Sequence, residues 1–274
     1  MYKRHQIFSE PEDKNIKIWR FMSFQKFISL LDRHSLFFTR ASRLRDPFEG
    51  TLPTSARSIS TSLNKYVQTL SRYDETKVNL QSLENEKIKF VRDTTLINSW
   101  HINNQESAAM WDLYSSRNTG IAIQSTYRRL SECFNENADE SIFLGQVKYI
   151  DYRTDYDISG TINLFDPILR KRNSFSHELE LRAISSLMME TDLEAILNND
   201  RQLHPPLEKK ERHVDPKRKT DIGIYIDVDL EKLIDKIFIY PCEQQWTFDL
   251  VESVAKRYNI GSKEIIQSDL YSVP

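Results

Sequence analysis

Short apolar runs broken by single polar residues recur along this chain, and they set out its elements. Ile16-Lys17-Ile18-Trp19-Arg20-Phe21 reads as a strand. Ser23 is placed to cap a helix in which Phe24, Phe27, Ile28, Leu30 and Leu31 recur at helical spacing. Leu36-Phe37-Phe38-Thr39 forms a second strand, so the chain opens strand–helix–strand. A Pro- and Gly-punctuated loop, Arg43 to Gly50, follows. Residues 55–92 are polar and expected to be helical, an insertion over the core with Leu63, Val67 and Leu70 on one face.

The pattern then alternates. Strands are expected at Thr94–Trp100, Ile121–Gln124 and Gly145–Ile150, with helices at Glu106–Tyr114 and Tyr127–Phe134. Pro167–Phe175 reads as a helix carrying Arg170, Lys171 and Arg172. Residues 200–221 are charged and Pro-rich, and are expected to be a mobile loop. Beyond it come a strand at Gly223–Val228, a short helix at Leu230–Asp235 and a strand at Lys236–Pro241. An amphipathic helix at Thr247–Tyr258 and a strand at Ile265–Ser268 close the series. Residues 1–15 are polar and read as a loose arm. Helices and strands mix without regular alternation, which predicts an α+β fold. The expected form is one domain over residues 1–274, with a mixed, mostly antiparallel sheet and flanking helices.

Composition narrows the function classes. With 38 Lys+Arg against 40 Asp+Glu, the chain has no global basic excess to hold nucleic acid; basic pairs and triplets such as Arg128-Arg129 and Arg170-Lys171-Arg172 remain as local phosphate contacts. Only 6 Gly are present, and neither a phosphate loop nor a dinucleotide fingerprint occurs. The two cysteines, Cys133 and Cys242, cannot make a four-ligand zinc site and suit a reducing compartment. No apolar window reaches membrane-spanning length, and the N-terminal residues lack a signal-peptide apolar region, so a cytoplasmic protein away from membranes is expected.

Candidate chemistry concentrates at His177-Glu178-Leu179-Glu180-Leu181-Arg182. On a strand, Glu178, Glu180 and Arg182 would share one face, and Leu179, Leu181 and Ala183 the other. The alternative for Glu180 is a salt bridge with Arg182 or Lys171. Arg20 lies between Trp19 and Phe21. Its guanidinium suits a phosphate or carboxylate, the alternative being an ion pair with Asp46 or Glu49. Trp100, His101, Trp111 and Tyr114 offer rings to stack on a flat ligand, or simply core packing. His101 is the best-placed histidine for acid–base work.

Several segments together resemble a bacterial family catalogued as domain of unknown function 2971. They are Trp19-Arg20-Phe21-Met22-Ser23, Phe37 to Gly50 ending Asp46-Pro47-Phe48-Glu49-Gly50, Ser99-Trp100, Glu106-Ser107 with Met110-Trp111 and Tyr114, Gly120-Ile121-Ala122-Ile123, and Glu178-Leu179-Glu180-Leu181-Arg182. The resemblance spans roughly residues 16 to 270 and implies kinship without an activity. A second resemblance carries chemistry. The order Arg, Ser, Glu-x-Glu looks like that of Arg-Ser-Glu type ADP-ribosyltransferases, as does the strand–helix–strand opening. It implies an ADP-ribosyltransferase-like core that takes NAD as substrate. Arg20 would hold NAD phosphate or ribose, Ser99 would support the nicotinamide ribose, and Glu180 would stabilise the oxocarbenium-like transition state. Glu178 would assist the acceptor. Trp100, His101 and Tyr114 would lie against the bound dinucleotide. Asn98-Ser99-Trp100-His101 stands where that family carries Ser-Thr-Ser. The acceptor would be a protein or a nucleic acid, in a toxin or phage-defence effector with an implied partner chain.

Two other functions fit the same residues. A nuclease would hold Mg²⁺ through Glu178 and Glu180 with Asp46 or Glu49. A non-catalytic binding module would use Arg20 and Glu180 as a structural bridge.

Overall fold

The computed structural model describes residues 1–51, 88–115, 120–134, 140–154, 165–190, 193–194, 210–241 and 244–272. Most of the expected insertion at 55–92, the first part of the charged loop at 200–221, and Cys242 therefore lie outside the described residues. Among the described residues, ten strands form one mixed, mostly antiparallel sheet with helices packed on it, and two further strands pair separately.

The opening unit forms as its pattern predicts. Strand β1 (Lys17–Ser23) runs into helix α1 (Phe24–Arg33), and the Ser23 side chain accepts from the Lys26 amide at the cap. Phe27, Leu30 and Leu31 are its buried stripe. The helix stops at His34 in the left-handed region (φ 49°), and β2 (Ser35–Arg40) follows.

Strand β3 (Thr95–Ile102) organises the sheet. One of its edges is paired along almost its whole length with β8 (Glu180–Ser186), from Thr95↔Ser186 to His101↔Glu180. A strand has two edges, so β1 and β2 must share the other. β1 takes its C-terminal end, Ile18↔Ile102 and Trp19↔His101, whereas β2 takes its N-terminal end, Thr39↔Ile97 and Arg40↔Leu96. Both run antiparallel to β3, and between those contacts they cannot occupy the same line. They splay apart, and the sheet forks. β1 continues into β4 (Gly120–Thr126), β11 (Lys236–Ile239) and β12 (Glu264–Gln267). β2 continues into β10 (Gly223–Asp227) and the two-residue β9 (Lys219–Thr220). β5 (Phe143–Gln146) borders β8.

Apolar clusters cover both faces. The largest joins Ile18, Trp100, Leu181 and Ala183 to α1, α3 (Tyr127–Glu132), α4 (Leu230–Leu233) and α5 (Gln245–Arg257). On the opposite face, Trp19 and Phe21 pack under α2 (Ala108–Tyr114) with Met110 and Trp111. Farther along that face, Ile97, Phe143 and Ile184 pack with Phe8 and Ile168.

Four expectations are corrected. Pro167–Phe175 is not a helix: two short 3-10 turns, Asp166–Leu169 and Asn173–Glu178, flank strand β7 (Arg170–Arg172). β7 pairs in parallel with β6 (Lys148–Ile150), and that pairing overrides the local pattern. The expected strand at Gly145–Ile150 is accordingly two strands in two sheets. Residues 1–15 are irregular but not loose: Tyr2 bridges Ile142, and Phe8 is buried with its ring 4.9 Å from that of Phe143. In the charged loop, residues 210–221 are likewise tied down by the Met188↔Glu211 bridge and by β9.

Candidate functional site

The fork leaves residues 98–100 of β3 without a ladder partner on one edge, and side chains take over there. Arg20, the next residue of β1 after its last pair with β3, donates from Nη1 to the Ser99 carbonyl at 2.6 Å. Asn98 donates from Nδ2 to the Phe37 carbonyl of β2 at 2.8 Å, and its Oδ1 accepts from Trp100 Nε1 at 2.8 Å. Between the arms opens a cleft of about 600 Å³, with Arg20, Ser99, Trp100, Tyr114, Glu178 and Glu180 in its lining. Residues separated by up to 160 positions thus meet at one cavity of a size that holds small-molecule ligands.

Arg20 has no carboxylate partner among the described residues: Asp46 and Glu49, its anticipated partners, pair elsewhere. Burial pushes its guanidinium down to about 10, so it stays charged at neutral pH. One of its five donors is used by Ser99, and the Trp100 ring lies 5.9 Å from its centre. This cation is available to an anion.

The carboxylates are arranged differently from the expected strand face. β8 begins only at Glu180. Glu178 ends a 3-10 turn, and Leu179 between them is left-handed (φ 40°, ψ 55°) and 48% exposed, whereas Leu181 is fully buried. Glu180 and Arg182 do share a face, with Ser99 and His101 beside them on β3. They are wedged between two apolar clusters, with His101, Glu180 and Arg182 buried and Ser99 partly exposed at the cleft.

Glu180 accepts four hydrogen bonds. Ser99 Oγ (2.5 Å) and Arg182 Nε (2.8 Å) reach Oε1; Arg182 Nη2 (2.9 Å) and Lys171 Nζ (3.3 Å) reach Oε2. Burial alone would raise its carboxyl, but Arg182, Lys171 and Ser99 outweigh it and hold it down to about 2. Among the described residues, Glu178 accepts two: from Tyr114 Oη at 3.1 Å on Oε1 and from Lys171 Nζ at 2.6 Å on Oε2. Glu49 enters from the turn after β2, pairing with Arg182 and, at 3.2 Å, with Lys171. The turn is fixed by Asp46, which binds the half-exposed Arg172 at 3.0 Å, and by Gly50 at φ +71°, where an added Cβ would strike Arg92 and Ile168.

Burial opposes the Lys171 charge, yet the carboxylates around it hold its ammonium above the ordinary range. Because β7 is a strand, Lys171 alone turns inward, and Arg170 and Arg172 turn out to Asp166 and Asp46. The sequence offers Lys171 in a basic triplet and Arg182 on the Glu178–Glu180 face, and both as alternative partners of Glu180; both pair with it. The Arg-Lys-Arg alternation is the one signal that could have singled out the lysine.

His101 is buried and serves the backbone. Its Nδ1 lies 2.6 Å from the Glu178 carbonyl, which can only accept, so Nδ1 carries the proton. Burial lowers its basicity, so the ring is neutral near pH 7. Trp100 and Trp111 are buried in the core, Trp111 donating to Glu106. Trp100 also forms part of the cleft wall. Tyr114 is half-exposed at the cleft, and burial followed by the Glu178 charge raises its hydroxyl pKa.

The three carboxylates do not present a metal site. Lys171 Nζ lies 2.6, 3.2 and 3.3 Å from Glu178, Glu49 and Glu180, and an ammonium thus fills the position a cation would take. Among the described residues, no group of three or more His, Cys, Asp or Glu is arranged to hold a metal, and no helix is long and apolar enough to cross a membrane. Compared with protein-family models, with curated proteins and with solved structures, the chain matches none.

Proposed function

We propose that the chain is an ADP-ribosyltransferase-like enzyme that binds NAD in the forked cleft and cleaves its nicotinamide–ribose bond. One observation carries this reading: Arg20, Ser99 and the Glu178–Glu180 pair line the same cleft. Arg20 supplies a desolvated cation with free donors, suited to the pyrophosphate. Ser99 and the carboxylates line the same cleft, and carboxylates stabilise the positive charge that a ribose would develop beside them. The acceptor is a protein, a nucleic acid or water, and a role as toxin or phage-defence effector, with a partner chain, follows the resemblance alone. The kinship with domain of unknown function 2971 belongs to the same proposal.

The test is NAD titration by calorimetry with nicotinamide release measured alongside. Wild type binds NAD and releases nicotinamide. Arg20→Ala weakens binding by about 10- to 100-fold, the worth of a charge-assisted contact to phosphate, and leaves the melting temperature within a few degrees. Absence of NAD binding by wild type overturns the reading.

A non-catalytic binding module is the second reading, favoured by the four filled acceptor positions of Glu180. Under it, wild type binds the dinucleotide and releases nothing.

A further inference from the structure

We infer that Glu178, not Glu180, is the carboxylate that acts on the substrate, and that Glu180 anchors the ion cluster holding Glu178 in place. The inference rests on the NAD-cleaving reading above, and it reverses the roles that the resemblance implies for the two residues.

The argument is one of acceptor capacity and charge. A carboxylate has about four lone-pair positions. Those of Glu180 are taken by Ser99, by Arg182 twice and by Lys171. To meet a ribose hydroxyl or a developing cation it would first have to release one of these partners, three of the four being bonds from cations to a buried carboxylate. Such bonds are the strong ones. Among the described residues, Glu178 has two positions free, and its Oε1 is engaged there by the Tyr114 hydroxyl alone, at the cleft. Glu49, Glu178 and Glu180 face Lys171 and Arg182, so the cluster holds three carboxylates against two cations and keeps one negative charge. The side chain that can present this charge to the cleft is the one with open acceptor positions.

Three groups position Glu178. Lys171 fixes Oε2, Tyr114 fixes Oε1, and His101 Nδ1–H holds the backbone carbonyl. The left-handed turn at Leu179 allows Glu178 to leave the strand line while Glu180 stays in register with His101. In the reaction, the ribose C1′–nitrogen bond breaks and its electron pair departs with nicotinamide, which becomes neutral. The ribose carries the positive charge, facing Glu178. The acceptor X–H forms the new bond to C1′, and its proton passes to Glu178 and on to water.

The experiment compares nicotinamide release, NAD KM and melting temperature for wild type, Glu178→Gln, Glu180→Gln and Tyr114→Phe. Glu178→Gln is expected to lower kcat at least 100-fold with KM and melting temperature near wild type. Glu180→Gln is expected to lower the melting temperature sharply and, assayed below it, to keep more kcat than Glu178→Gln. Tyr114→Phe removes the hydrogen bond on Glu178 Oε1 and is expected to lower kcat about 10-fold with KM and melting temperature near wild type. If Glu180→Gln does not fold, the other two variants still decide. Wild-type-like kcat in Glu178→Gln, or in Tyr114→Phe, overturns the inference while NAD cleavage by wild type stands. A wild type that releases no nicotinamide overturns the reading beneath it.

Discussion

Leu179 and Leu181 show how much the setting of one residue matters. Both sit beside site carboxylates, and simple alternation would bury both on the same face. Leu181 is fully buried in the main core, and its truncation to Ala is expected to cost about 2–5 kcal/mol in urea unfolding. Leu179 is half out of the protein and holds a left-handed backbone that disfavours a side chain by roughly 1–2 kcal/mol. Glycine relieves that strain but loses roughly 0.5–1 kcal/mol in chain entropy. Leu179→Gly is therefore expected to leave stability unchanged or raise it slightly, measured by the same unfolding curves. A loss of several kcal/mol would mean that Leu179 packs in a way its exposure denies. Glu178 and Glu180 divide in the same manner: the sequence pairs them, and only their surroundings tell a saturated carboxylate from an open one.

At the level of elements, the fork in the sheet does most to create the site. Two strands joined by a helix cannot both lie along the same edge of β3, so they part and leave an opening lined by β1 and β2. Arg20 and Asn98 bridge the interrupted ladder, with bonds to Ser99 and Phe37. Asn98→Ala would strand the buried Trp100 Nε1 as well as the Phe37 carbonyl. It is expected to cost about 2–4 kcal/mol, from two unmet groups at ~1–2 kcal/mol each. It should also loosen the cleft, read as faster hydrogen exchange along residues 36–38. An unchanged exchange rate there would show that the fork holds without its side-chain bridge. The strand–helix–strand opening was legible because its periods are local, and so was the Ser23 cap. β7 was not, because three basic residues carry no period, and its strand form depends on β6 some twenty residues earlier.

For the whole molecule, the ion cluster ties distant segments together. Glu49 comes from the turn after β2, Lys171 from β7, Glu178 from a 3-10 turn, and Glu180 and Arg182 from β8. Its dependence on pH follows from Glu180, which is held down to about 2 against an ordinary 4.5. A depressed carboxyl contributes stability that is present above the ordinary value and lost as pH falls toward the folded one. The urea midpoint is accordingly expected to drop from about pH 5 to about pH 2, and to drop less steeply in Glu180→Gln. Equal slopes would place the acid lability elsewhere. The sequence by itself determined the elements with a clear period and the α+β class, because alternation and helical spacing are properties of neighbouring residues, and it singled out Arg20, Glu178 and Glu180 by residue type and setting and Ser99 by resemblance. The tertiary structure alone decided which strands share an edge of β3, that the sheet forks there, and that Lys171 enters the carboxylates. Pairing partners and the meeting of buried charges depend on long-range contacts, and no local pattern carries them.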